Sequence, residues 1–214
     1  MDPDHGLESD PGPGTGRHGA GELIAGVILL SWSVVAAVLV HLDPTPDKLD
    51  SWGFAALSSE FHDPVLLRIA DLRTAAVLVV GSILAGLTVV GRDRWRAVAC
   101  LAGPPVAAVL VEWCVKPLVG RRFDTVLDYP SGSVTVVAAL ATSWSLAVPR
   151  RIRWAVVAAG SAVTTMMIVA VIRLRWHYPT DALAGAVIGV GVVLTLDGAL
   201  HVVRARWIDD TGTR

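Results

Sequence analysis

Six stretches of this sequence are long and apolar enough to be read as membrane-crossing helices: Leu23–Leu42, Thr74–Val90, Trp95–Val115, Val134–Val148, Ala155–Ile172 and Ala182–Val202. Crossing the hydrocarbon takes about 20 apolar residues in helical form. Such a segment has to satisfy its own backbone hydrogen bonds, because lipid offers no partners. The fourth stretch is short, and its start is expected a few residues earlier. Composition agrees: 53% of the 214 residues are hydrophobic and only 17% are charged. So few charged groups do not coat a soluble domain of this size. A soluble enzyme, a nucleic-acid-binding protein and a disordered chain are therefore excluded. The expected fold is all-α, a polytopic membrane protein with six transmembrane helices. The formal net charge of −1 gives no bulk attraction to a polyanion, so no nucleic acid is expected as a partner.

Residues 1–21 are rich in Gly, Pro and acidic side chains and are expected to form a disordered tail. Residues 22–207 are expected to form the six-helix membrane domain, and 208–214 a C-terminal tail. The first apolar run is too long for a cleaved signal and reads as an uncleaved anchor. Arg92, Arg94 and Arg96 crowd the second connection, and Arg150, Arg151 and Arg153 the fourth. Arg204, Arg206 and Arg214 follow the last span. Short basic connections stay in the cytoplasm, so both termini are expected there, although the odd-numbered connections carry cations too. Trp95, Trp113, Trp154, Trp176 and Trp207 fall near predicted helix ends, where an amphipathic ring suits the interface. Trp32 and Trp144 lie mid-span and are expected to pack. Cys100 and Cys114, fourteen positions apart on one helix, are about 21 Å apart, beyond disulfide reach, and read as buried thiols. In the first connection, Trp52, Phe54, Leu57 and Phe61 form either the apolar stripe of an interfacial helix or a partly buried loop.

With six spans, the first, third and fifth connections open on one face. The third carries Lys116, Arg121, Arg122, Asp124 and Asp128, then Pro130-Ser131-Gly132-Ser133. The fifth carries Arg173, Arg175, His177 and Asp181. Several cations around a small turn suit a multiply charged anion, since Arg offers planar forked donors and Lys a point charge. Backbone amides of Ser131 and Gly132, just ahead of the fourth span, can point at such an anion, helped by the helix dipole. His177 and Asp181 are four apart and share a helical face. A carboxylate on one ring nitrogen fixes the tautomer and raises the basicity of the other, which can then attack phosphorus. Taken singly, such cations are usually interfacial anchors, such a His is usually structural, and a Ser-Gly pair after Pro is usually only a turn. Their gathering on one face is what points to chemistry. Glu112 precedes Lys116 by one helical turn, an orientation favourable for an ion pair. Asp197 lies inside the sixth span, where a charge is costly, and is expected to meet an Arg near the helix end.

In these residues the chain resembles the type 2 phosphatidic acid phosphatase family, membrane lipid phosphatases related to the vanadate haloperoxidases. That family carries Lys followed seven residues later by Arg-Pro, then Pro-Ser-Gly-His, then Ser-Arg with five residues to His and four more to Asp. Here Lys116 opens the first motif, Pro130-Ser131-Gly132 gives most of the second, and His177 and Asp181 close the third. Order and spacing agree over about residues 70–200. The resemblance implies hydrolysis of a phosphomonoester or pyrophosphate on a lipid or polyprenyl carrier through a phosphohistidine, without metal or cofactor. It implies His177 as nucleophile, oriented by Asp181. It also implies a phosphate cradle of Lys116, Arg121, Arg122, Ser131, Gly132, Arg175 and Arg173. The site would face the extracytoplasmic side of the cell membrane.

Three positions depart from the pattern. Ser133 stands where the family has the His that protonates the leaving group. Loss of a general acid typically costs about 10²–10⁴ in rate. Phe123 stands seven after Lys116, with Arg121 and Arg122 beside it. Val171 stands six before His177; Arg175 reaches the same place only if the helix continues that far, and Arg173 points elsewhere. Ser133 is compatible with an engineered replacement that disables turnover, with a pseudoenzyme, or with an acidic leaving group that needs little protonation. The otherwise well-kept motifs favour the first. The alternative function is a catalytically silent lipid-phosphate binding or accessory membrane protein. A transporter is disfavoured, because the polar residues gather at one surface and not at the midplane.

Overall fold

Helices occupy all six apolar stretches, in a computed structural model that describes residues 14–57, 64–123 and 126–212, with side chains between 19 and 207. The long elements are α1 (Gly14–Leu42), α4 (Ala75–Val89), α5 (Arg94–Val109), α7 (Gly132–Ala147), α8 (Arg150–Arg173) and α9 (Pro179–Gly212). Between them lie α2 (Lys48–Leu57), α3 (Pro64–Ala70) with a 3-10 turn at Asp71–Arg73, α6 (Lys116–Val119), and a two-stranded hairpin, β1 (Arg122–Phe123) and β2 (Val126–Leu127). The protein is thus an all-α polytopic membrane protein. Four helices are each long and apolar enough to cross a membrane: α1, α5 with its extension to Val119, α8 and α9. Helices α3 and α4, bent by 58° at their junction, make a fifth together, and α7 is a shorter apolar helix of 16 residues. The tail expected over residues 1–21 is helical from Gly14, and α9 carries helix into the expected C-terminal tail as far as Gly212. Residues 1–13 lie outside the described residues.

Local signals set the helix starts. Thr74 caps α4 by accepting from the Val77 amide, and Asp93 caps α5 by accepting from the Trp95 and Arg96 amides. Pro179 occupies the first turn of α9, where its missing N–H costs nothing. Helix α5 passes through Pro104 and Pro105 and loosens into a π-turn over Leu110–Val115. There the Lys116 amide bonds to the Val111 carbonyl, five residues back. Gly120, with φ of +72°, ends α6 in the left-handed conformation and sends the chain into the hairpin.

Helix α9 is the hub, packing on α1, α7 and α5. Its contact with α1 is close enough for backbones to touch. A Cβ on Gly198 would strike the Leu23 amide, and one on Gly26 would strike Thr195. Small residues at such crossings are how membrane helices pack when lipid tails remove the hydrophobic incentive. Gly198→Leu is therefore expected to lower stability in detergent by about 1–3 kcal/mol, the usual range for overpacking. Gly21→Leu, with nothing within 4 Å of its Cβ position, should leave it unchanged. Thermal unfolding of both variants checks this.

The outward faces depart from expectation in two places. Trp32, expected to pack, is exposed, whereas Trp144 does pack against the core. Cys114 is also exposed, while Cys100 is buried with its thiol toward the Ser143 carbonyl. In the first connection, Phe54 and Leu57 pack inward from α2 while Trp52 faces out; Phe61 lies outside the described residues.

One end of the bundle holds an ionic cluster. Arg96 grips Asp197 through two hydrogen bonds of 3.2 and 3.0 Å and also reaches Glu22 at 3.1 Å. His201 bridges the Asp197 carbonyl and the Asp93 carboxylate. Burial alone would raise the Asp93 pKa. The His201 hydrogen bond, the Arg96 amide and the charges of His201 and Arg96 outweigh it, and the carboxyl is held down to about 2. The buried Asp197 thus finds its Arg at the helix end. The first, third and fifth connections meet at the other end.

Candidate functional site

The site end is built around the N-terminus of α7. Ser131 caps that helix through its side chain, accepting from the Val134 amide. The Ser131 amide donates to the Asp181 carbonyl at 2.9 Å, tying the second motif to the third. Gly185, nearly two turns into α9, has no room for a side chain, since a Cβ would strike the Ser131 carbonyl and lie 3.1 Å from the Thr135 hydroxyl. On the other flank of α7, a Cβ on Gly132 would strike Glu112 Oε1 and lie 3.8 Å from Lys116 Nζ. The π-turn delivers this pair, in which Lys116 Nζ sits 2.8 Å from Glu112 Oε1. Lys116, Ser131, Gly132 and Asp181 therefore come together around one helix start.

His177 is buried, and its Nδ1 lies 2.5 Å from Asp128 Oδ1 without the alignment of a hydrogen bond. The carboxylate against the ring is thus Asp128 and not Asp181. Asp181 is instead held by Arg121 Nη1 at 2.6 Å and by the Tyr178 amide at 3.2 Å. Asp128, His177 and Asp181 bring one ligand atom each within 4.8 Å of one another and are the donors here for any cation. At the far end, Glu22, Asp197 and His201 make a similar group.

Arg121 is buried and committed. Beyond Asp181 it bonds Asp50 Oδ2 at 2.6 Å, the Thr180 hydroxyl at 2.8 Å and the Pro44 carbonyl at 3.1 Å. Its guanidinium also lies over the Tyr178 ring, 4.2 Å from the centroid. Burial would lower its pKa, but the two carboxylates more than offset that and keep it charged. Tyr178 meets both Phe54 and Phe123 edge to face, and these two rings tilt toward one another over the same group. Tyr129 beneath is buried, which pushes its hydroxyl up to about 12.

The remaining arginines separate. Helix α8 stops at Arg173, and Arg175 adopts the left-handed conformation with φ of 57°. The helix therefore does not continue as far as Arg175, whose guanidinium lies over Phe54. Arg122 is exposed on β1, and Arg173 is half-buried at the helix end. Ser133 lines a cavity of about 470 Å³ between α4, the π-turn and α7, shared with Arg73, Thr74, Glu112 and Gly132. His177 is not among its lining residues. Asp50 escapes the sequence reading, and Asp128 enters it only as one charge of the third connection. For Asp128, the only signal was its place two residues ahead of Pro130-Ser131-Gly132.

No protein-family model matches the sequence, and no curated protein does. Among solved structures, the chain is similar to a transmembrane PAP2 type phosphatidylglycerolphosphate phosphatase from Bacillus subtilis, with a TM-score of 0.60 over 87% of this chain and 96% of that one. At 16% identity the likeness is one of fold alone.

Proposed function

We propose that the chain is a membrane lipid phosphatase, acting on a phosphomonoester or pyrophosphate carried by a lipid or polyprenyl chain. The observation that carries this reading is the 2.9 Å bond from the Ser131 amide to the Asp181 carbonyl, with the Glu112–Lys116 pair lying over Gly132. It joins three distant segments whose residue types suit phosphoryl transfer. Asp128 lies against Nδ1 of His177 and leaves Nε2 to attack phosphorus. The P–N bond forms as the bond to the lipid oxygen breaks, that oxygen taking its proton from water; a second water then cleaves the phosphohistidine and releases phosphate. Asp181 acts with Arg121 to position the start of α9. Neither metal nor cofactor is required. The basic connections at the far end would face the cytoplasm with both termini, leaving the site extracytoplasmic.

A second reading has its own support. Ser133 offers no useful acid, and Arg121 is neutralised by Asp50 and Asp181. Both favour a protein that binds lipid phosphate without turnover. Phosphate release from vesicles bearing phosphatidic acid, phosphatidylglycerolphosphate or a polyprenyl pyrophosphate separates the two. If the missing acid limits turnover, Ser133→His raises the rate at least about tenfold, a floor set below the 10²–10⁴ that general acid catalysis typically contributes. No gain on any of these lipids would remove the acid from the account.

A further inference from the structure

We propose that the cavity between the α4–α5 connection and the start of α8 binds the phosphate group of an anionic phospholipid, apart from any catalysis at His177. The assignment stands whether or not the chain is a phosphatase. The cavity measures about 220 Å³ and is lined by Arg92, Arg96, Arg150 and Arg153, with Asp93 as the one carboxylate among the described lining residues. That is several times a water's share of about 30 Å³, enough for a phosphate group. It lies at the end of the bundle opposite His177. Helix α7 runs from Gly132 at the candidate active site to Ala147 at this cavity, about 24 Å of helix.

Charge makes this an anion site. Asp93 is already committed: it accepts from the Trp95 and Arg96 amides and meets His201 Nε2 at 2.9 Å. Arg96 is balanced by Asp197 and Glu22. Arg92 Nη2 donates to the Thr88 and Ala147 carbonyls, which are neutral and leave its charge uncompensated. Arg153 Nε is buried and has no hydrogen-bond partner among the described residues. A buried donor left open marks a place for a ligand acceptor. Arg150 and Arg153, three apart on one face of α8, also occupy the positive end of that helix, whose first turn carries no acidic residue. An anion in the cavity relieves both the dipole and the mutual repulsion of the arginines. Their planar forks suit phosphate oxygens. Depth selects the source. Trp154, directly after Arg153, is 81% exposed, and such a ring sits at headgroup level in a membrane. The cavity thus opens where phospholipid phosphates lie.

The test is native mass spectrometry of the full chain in neutral detergent, titrated with phosphatidylglycerol or phosphatidylcholine. The parent is expected to bind phosphatidylglycerol at least about tenfold more tightly than phosphatidylcholine. Arg153→Gln should weaken phosphatidylglycerol binding at least about tenfold, and Arg150→Gln, at the exposed helix start, at least about threefold. Arg206→Gln removes the same charge from an exposed position outside the cavity and should stay within about twofold. Lipid-free thermal unfolding screens out a variant that misfolds, and the other then carries the comparison. Equal affinity of the parent for the two lipids overturns the assignment, as does unchanged binding in the folded variants. A loss as large in Arg206→Gln overturns it as a bulk charge effect. A loss in Lys116→Gln matching that in Arg153→Gln overturns it by placing the lipid at the other end. Displacement by inorganic phosphate at tenfold excess overturns the lipid as occupant and assigns the cavity to an anion from solution; retention at that excess supports the lipid. None of these outcomes bears on phosphate release at His177.

Discussion

Arg121→Met is expected to destabilise the protein by about 3–5 kcal/mol, the range seen when one partner of a buried ion pair is removed. The reason is what the substitution leaves behind. Asp50 and Asp181 are both fully buried and both lie 2.6 Å from the guanidinium. Asp50 also accepts from the Thr180 amide and hydroxyl, and Asp181 from the Tyr178 amide, but these neutral donors do not balance two carboxylates. Lys at this position should fail as well. One ammonium does not reproduce the separate donations to Asp50, Asp181, Thr180 and the Pro44 carbonyl. Adding Asp50→Asn and Asp181→Asn to Arg121→Met removes the stranded charges and should recover part of the loss. Heat denaturation in detergent of the single and triple variants reads this directly. A single variant as stable as the parent would show that the triad does not hold α2, the hairpin and α9 together.

The second large effect falls on chemistry. His177→Gln is expected to lower phosphate release from lipid phosphate by at least about 10³, since removing the nucleophile closes the covalent route. The amide is close to isosteric and neutral, so unfolding should change little. Asp128→Asn should fall between: the ring remains, but its contact at Nδ1 loses its charge. Losses of comparable size in His177→Gln and in a distant control would assign the effect to folding instead.

The apolar runs marked the helices well, because lipid forces long uninterrupted stretches. They did not mark which face looks inward. Lipid tails are as apolar as a core, so Trp32 and Cys114 could not be told from packing residues by hydropathy. The motif order brought Lys116, Ser131, Gly132, His177 and Asp181 into view, because each lies at a helix end with a recognisable spacing. Asp50 was invisible for the opposite reason, and Asp128 was in view without its place against His177. Asp50 meets Arg121 across 71 positions, a pairing no periodicity announces. The end of α8 was legible to within a residue, at Ile172 against Arg173, but the turn at Arg175 was not, because Arg175 takes a conformation usually reserved for Gly or Asn. A stop signal carried by an arginine gives no local warning.

The most direct measurement is a rapid alkaline quench of the protein mixed with phosphatidic acid radiolabelled on phosphorus, followed by peptide mapping. The account predicts an alkali-stable, acid-labile label on the peptide containing His177, absent from His177→Gln. Phosphate released with no label at His177, or bound lipid phosphate with no label and no release, would contradict it.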